Sequence, residues 1–341
     1  MCAFRDLKAV RLAVTVGTLA AALVTLTAPP GVAAPAAPQI HDLGTLPGGS
    51  FSEANDINNR GWVVGTSGQA SGEGLGHGFL WRSGRMLDLG TLGGEESRAN
   101  AINNRGWVVG AASTALATHA FLWRSGRMLD LGTLGGEFSE AVDVNDRGVV
   151  VGNSETATGS LRPFAWHRGV MRELNVAGIS SFATAVNARG QVTGAATRQP
   201  GQEAEAYRWQ RGRTTFLGNL PAQFPSSVGR DINDRGHVVG SSLTLSGGAH
   251  AVLWRAGRIV DLGTLGGVAS EATGVNNRGW VVGESDTGDG PHALLWRKGQ
   301  MTDLGTLLGF GYSSAAAVND RGVIAGRSLS DSGLGHAVIW R

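Results

Sequence analysis

Residues 97–110 read Ser-Arg-Ala-Asn-Ala-Ile-Asn-Asn-Arg-Gly-Trp-Val-Val-Gly, and residues 119–136 read His-Ala-Phe-Leu-Trp-Arg-Ser-Gly-Arg-Met-Leu-Asp-Leu-Gly-Thr-Leu-Gly-Gly. Apolar and polar residues alternate in short runs, and turn-forming residues separate the runs. That pattern predicts four strands: Ser97 to Asn103, Trp107 to Ala111, His119 to Arg124 and Arg127 to Leu134. Asn103-Asn104-Arg105-Gly106 suits a tight hairpin turn, with Asn first and Gly where the backbone needs a positive φ. Trp123 to Gly126 does the same for the next hairpin. The block is therefore an antiparallel meander, and no helical periodicity interrupts it.

The same block recurs along the chain. Asn-x-Arg-Gly begins at Asn58, Asn103, Asn145, Asn187, Asn233, Asn276 and Asn319, in steps of 45, 42, 42, 46, 43 and 43 residues. A seven-fold repeat of that period points to an array of small sheets and away from a single-core enzyme domain. The first strand of each copy carries small residues on one face, such as Ser52 and Ala54, Ser97 and Ala99, and Ser227 and Gly229. Another backbone must pass close there, which is the situation near the axis of a propeller. On the third strand His119, Phe121 and Trp123 share the other environment, a face of large rings. Trp81, Trp123, Trp166, Trp209, Trp254, Trp296 and Trp340 are then expected to fill the widening space between units.

The ends of the repeat region are offset. Ile40 to Leu46 matches the fourth strand of the unit, while Trp340-Arg341 matches the end of the third. The expected fold is all-β: a seven-bladed β-propeller of four-stranded antiparallel blades, its ring closed by Ile40 to Leu46 completing the last blade. Closure removes the exposed strand edges that an open solenoid would keep.

Residues 1–36 read as a secretory signal peptide, leaving 37–341 as a single propeller domain. Arg5, Lys8 and Arg11 precede an uncharged stretch from Leu12 to Leu26, and the small residues around Ala33 to Ala37 suit cleavage. That apolar run is too short to span a bilayer as a helix. The only cysteine, Cys2, lies in the leader, so the expected mature chain has neither thiol nor disulfide. Removing the leader leaves 26 cationic and 26 anionic side chains. No run of Lys or Arg stands out as a footprint for nucleic acid or anionic lipid.

The strings His-Ala-Phe-Leu-Trp, Asp-Leu-Gly-Thr-Leu-Gly-Gly and Asn-Asp/Asn-Arg-Gly resemble the HAF repeats of secreted bacterial proteins. The resemblance extends from Ile40 to Arg341. Copies three and four depart from it, with Arg162-Pro163-Phe164 and Glu205-Ala206-Tyr207 at the triplet and Glu173-Leu174-Asn175 for Asp-Leu-Gly. What it implies is an extracellular repeat protein, and it supplies no catalytic residues.

Candidate chemistry is weighed against structural roles. His77, His119, His250, His292 and His336 occupy one position in five copies; a packing and hydrogen-bonding role between units is preferred to a metal site. Asp-x-Asn-x-Arg-Gly at Asp56, Asp143 and Asp231 begins like a calcium loop, but Arg60, Arg147 and Arg235 stand where an oxygen ligand belongs. Asp286 and Asp289 form a weaker calcium candidate. The Gly93-Gly94, Gly135-Gly136 and Gly266-Gly267 pairs precede strands, so the helix terminus of a phosphate loop is missing. Acidic residues collect in two loop sets expected at one end, with Glu53, Glu95, Glu96, Glu137 and Glu271 in one. Glu73, Glu155, Glu203, Glu284, Asp286 and Asp331 occupy the other. Any two of these could serve a glycosidase, yet nothing singles out one pair.

No catalytic, cofactor or metal residue is therefore assigned, and no cofactor is expected. The expected function is a secreted, non-enzymatic binding scaffold acting through the segments that vary between copies. These are Thr66 to Gly76, Ala111 to Thr118, Asn153 to Leu161, Ala195 to Ala204, Ser241 to Ala249, Glu284 to Pro291 and Arg327 to Gly335. The expected partner is an extracellular or cell-surface protein in preference to a glycan, because these segments are nearly free of aromatics. No nucleic acid or membrane span is expected, and the chain is expected to act as a monomer. The alternative is a secreted hydrolase or lyase acting on polysaccharide.

Overall fold

The computed structural model describes residues 38–69, 76–309 and 311–341; the leader with Cys2, and Glu73, lie outside the described residues. Pro38–Arg341 forms one compact unit. The described residues contain strands and no helix. Five sheets have four strands and one has eight. The larger sheet is two meanders joined through one parallel pair, Phe138 with Thr118.

In the quoted repeat the strands are Ser97–Ile102, Val108–Ser113, Thr118–Arg124 and Arg127–Asp130. The fourth is shorter than the sequence pattern predicts. Asp130 Oδ1 accepts the backbone N–H of Gly132 at 2.7 Å, and Gly132 has a φ of 74°, so the chain leaves the strand there. Near its middle each first strand carries a register shift against the second, between Ala99 and Ala101 in this copy, which bends it locally. Gly110 lies opposite: a Cβ there would collide with the carbonyl oxygen of Arg98.

The core lies between successive units. Phe121 and Trp123 pack with Val64, Leu80 and Leu89 of the preceding repeat. Ala120 and Leu122, on the other face of the same strand, meet Ala141, Phe164 and Trp166 of the following one. A single strand thus serves two interfaces, as its alternation requires. Trp123, Trp166, Trp254 and Trp340 are buried, whereas Trp81, Trp209 and Trp296 are half-buried.

The small residues of the first strand do more than make room. Ser97 Oγ accepts the N–H of Gly78 at 2.9 Å and donates to the carbonyl of Gly90, both in the preceding repeat. The equivalent serine makes the equivalent pair of bonds at Ser52, Ser139, Ser227, Ser270 and Ser313. Close approach of another backbone predicts only a small residue there. The hydroxyl is needed because the strand edge it faces has one donor and one acceptor to satisfy.

At the chain ends, Ile40–Asp42 pairs antiparallel with Gly335–Trp340, in the register Ile40 with Trp340 and Asp42 with Val338. This strand covers only the start of Ile40 to Leu46; Leu46 is already buried in the join to the next strand, its N–H donating to Ser67 Oγ.

Candidate functional site

Strand pairing sorts the connections to two ends. Asn-x-Arg-Gly and Trp-Arg-x-Gly turns lie at one, the hairpin end. The segments between second and third strands, and the joins from fourth to first, lie at the other, the loop end. Gly94 donates to the carbonyl of Ser113, which ties these two loop sets together.

At the hairpin end the turn asparagines hold one another. Nδ2 of Asn58 donates to the carbonyl of Asn103, that of Asn103 to Asn145, and so on through Asn187, Asn233 and Asn276 to Asn319, which donates to Asn58. All seven distances lie between 2.9 and 3.1 Å. Each Oδ1 stays within its own turn; that of Asn103 accepts the N–H groups of Arg105 and Trp107. The seven turns line a polar cavity of about 190 Å³.

The carboxylates of Asp56, Asp143 and Asp231 are taken up by backbone donors. Each accepts the N–H of the next residue and one from the following repeat, Ile102, Val186 and Val275 respectively. Burial pushes their carboxyl groups up to about 7, 8 and 6, against the pull of those donors, and neighbouring aspartates push the same way. Among the described residues no three His, Cys, Asp or Glu side chains come together to hold a metal ion, Asp286 and Asp289 included.

The five histidines likewise do not converge. Each bonds through Nδ1 to its own aspartate, at 2.7–3.0 Å: His77 to Asp88, His119 to Asp130, His250 to Asp261, His292 to Asp303 and His336 to Asp42. Four of these pairs lie within one repeat, and the fifth joins the chain's two ends. Copies three and four change both members. Arg162 faces Glu173 at 3.8 Å. Glu205, with Phe216 in the aspartate position, itself accepts the N–H of Gly218, the bond that aspartate makes elsewhere. The glycine pairs sit in turns; Gly93 has a φ of 103° and Thr91 Oγ1 bonds the carbonyl of Gly94.

Side chains that vary between copies gather at the loop end. Glu53, Asn55, Glu271, Glu284, Tyr312 and Arg327 line a cavity of about 430 Å³. A second, of about 360 Å³, shares Glu271 and Glu284 and adds Arg230 and Ser241. The groups form two chains of contacts. Tyr312 OH donates to Glu284 at 2.8 Å and accepts from Arg327 at 2.8 Å, while Arg327 reaches Glu53 at 3.4 Å. Arg230 holds Glu271 at 2.6 Å, and Ser241 adds a bond at 3.2 Å. Burial raises the Tyr312 hydroxyl above its ordinary pKa, offset in part by the Arg327 hydrogen bond. Of the carboxylates named from sequence, Glu53, Glu271, Glu284 and Asp286 are brought to this region; Glu95, Glu96 and Glu137 are not among its lining residues.

The same end carries the most exposed apolar side chains. The four most exposed large ones are Leu116, Leu245, Val268 and Phe224, at 95%, 78%, 75% and 64%. Leu116 and Leu245 lie in the variable segments; Val268 and Phe224 lie in joins to first strands, outside those segments.

By fold the chain is a β-propeller protein. It resembles the β-propeller domain of the trilobed protease from Pyrococcus furiosus, described as having an open velcro topology. The TM-score is 0.60 at 10% identity, over 85% of this chain and 96% of that one. TolB from Acinetobacter baumannii gives 0.49 at 10% identity, over 86% of this chain and 64% of that one, so the chain spans less than two thirds of TolB. No family model matches the sequence, and no curated protein does. No described helix is long and apolar enough to cross a membrane.

Proposed function

We propose that the chain is a secreted, non-enzymatic binding scaffold of the HAF-repeat kind, a seven-bladed propeller that takes an extracellular protein at its loop end. The pairing of Ile40–Asp42 with Gly335–Trp340 and the return of the asparagine series from Asn319 to Asn58 support a closed ring of seven blades. The observation that carries the binding reading is the exposure of Leu116, Phe224, Leu245 and Val268, all on loop-end connections, at the end that also holds the charged cleft. Apolar tips beside polar groups are what a protein interface uses. A polysaccharide hydrolase would need a carboxyl pair left free for proton transfer. Here Glu53, Glu271 and Glu284 are each engaged by Arg327, Arg230 or Tyr312.

The test is retention from the native extracellular fraction on immobilised residues 37–341, compared with a variant carrying Leu116→Ser, Phe224→Ser, Leu245→Ser and Val268→Ser. A protein held by the parent and released by the variant is expected. Equal retention by both would remove the loop end from the proposal.

A further inference from the structure

We infer that the hairpin end is a docking surface for an anionic polysaccharide. Every Asn-x-Arg-Gly turn presents an exposed arginine there, and the outer hairpins add more, among them Arg82, Arg124 and Arg255. No run of basic residues is needed in the sequence, because the repeat gathers them from separate turns.

These arginines are left without acidic partners. Among the described residues the Arg–carboxylate ion pairs involve Arg162, Arg198, Arg230 and Arg327, all toward the loop end. The turn carboxylates Asp146, Asp234 and Asp320 each spend Oδ1 on the backbone N–H of the preceding turn. With no carboxylate ion-paired to them, these like charges repel one another, and a bound polyanion relieves that cost. A recess of about 490 Å³ on this end is lined by Arg105, Arg124, Arg147 and Arg168 with Trp107, Leu129 and Trp166.

Other anions fit less well. Trp62, Trp107 and Trp280 each carry two guanidinium groups within 5.1–5.9 Å of a ring centroid, so these rings offer no uncovered platform for nucleobases. The most exposed apolar tips are at the other end; at this one Leu129 in the recess and Val170 are 43% and 49% exposed, too few to make an apolar centre for a protein partner or insertion anchors for a bilayer. A second copy docked by its acidic loop end would set those tips against arginines. A chain of acidic sugars asks only for spaced cations, and the planar arginine fork pairs with carboxylate in two bonds.

Polygalacturonate is the probe, titrated against residues 37–341 at low and raised salt, with neutral dextran, oligothymidylate and phosphatidylserine-containing vesicles as comparisons. Polygalacturonate is expected to bind most tightly and to weaken steeply with salt. The variant Arg105→Gln, Arg124→Gln, Arg147→Gln, Arg168→Gln should bind on the order of tenfold more weakly, while Arg98→Gln, Arg162→Gln, Arg198→Gln, Arg230→Gln should bind as the parent does. If the first variant melts early, Arg85→Gln, Arg127→Gln, Arg213→Gln, Arg258→Gln replaces it, since these side chains are exposed and touch no tryptophan ring. Absence of polygalacturonate binding at low salt, equal loss in the two sets, or tighter binding to oligothymidylate or vesicles would each overturn the assignment.

Discussion

Asn319 Nδ2 donates to the carbonyl oxygen of Asn58 at 3.0 Å, across 261 residues of chain. The same asparagine accepts two N–H groups in its own turn, from Arg321 and Val323. Asn319→Ala therefore leaves the Arg321 and Val323 N–H groups without their acceptor, each worth about 1–3 kcal/mol when left unpaired, and takes one of two donors from the Asn58 carbonyl, which keeps the Gly61 N–H. Urea unfolding should show a loss of roughly 2 kcal/mol or more, after some relief by water. Asn319→Asp keeps the acceptor but turns a negative oxygen toward the Asn58 carbonyl. It should be the worse of the two near neutrality and recover on acidification; equal stability of the parent and both variants would show that the contact contributes nothing.

Ser97 separates size from hydrogen bonding. A purely steric role predicts that Ser97→Ala is neutral, since alanine is no larger. The bonds to Gly78 and Gly90 predict instead a cost of about 1–3 kcal/mol from an unpaired donor and acceptor. Denaturant midpoints of the parent and of Ser97→Ala decide between them.

What the sequence disclosed follows from what repeats. Gly106, the Val-Val-Gly strand and the Trp of each third strand are dictated by local backbone and packing, so their recurrence makes the four-strand unit readable. The His119–Asp130 pair was readable too, through the joint change of both positions in copies three and four, but only by comparing copies with each other. The sequence shows Glu53, Glu271 and Glu284 as acids and Arg327 as the start of a variable segment, yet gives no sign that these four meet in one cleft. These residues sit within strands, beside unvarying Ser, Ala and Gly, where the first and second strands turn a side toward the loop-end cleft. The arginine surface was hidden for a different reason: its members are separated by many residues, and only the shared hairpin end brings them together.

Trp123 tests the interface between repeats. It is 9% exposed and packs on Val64, Leu80 and Leu89 of the preceding unit. Trp123→Ala should cost about 3–5 kcal/mol, because neighbouring strands held by their own ladders cannot collapse into the space. Trp81→Ala, at a half-buried ring in the equivalent place, should cost less. A melting curve unmoved by Trp123→Ala would place the ring outside the load-carrying contacts.

Asp56, Asp143 and Asp231 give the fold an unusual pH dependence. Their carboxyls are raised from 3.8 to about 7, 8 and 6 by burial. Below about pH 4 both folded and unfolded chains hold these protons, and the stabilising contribution is complete. As pH rises the unfolded chain releases its protons first, so stability falls until the folded carboxyls have ionised as well, near pH 8 for Asp143. Asp143→Asn removes that titration. It loses one acceptor for the N–H of Val144 or Val186, a constant offset, but its decline in stability between about pH 4 and pH 8 should be shallower than the parent's. Urea unfolding across that range measures the two slopes, and parallel lines would show that the Asp143 carboxyl ionises as freely in the folded protein as in the unfolded chain.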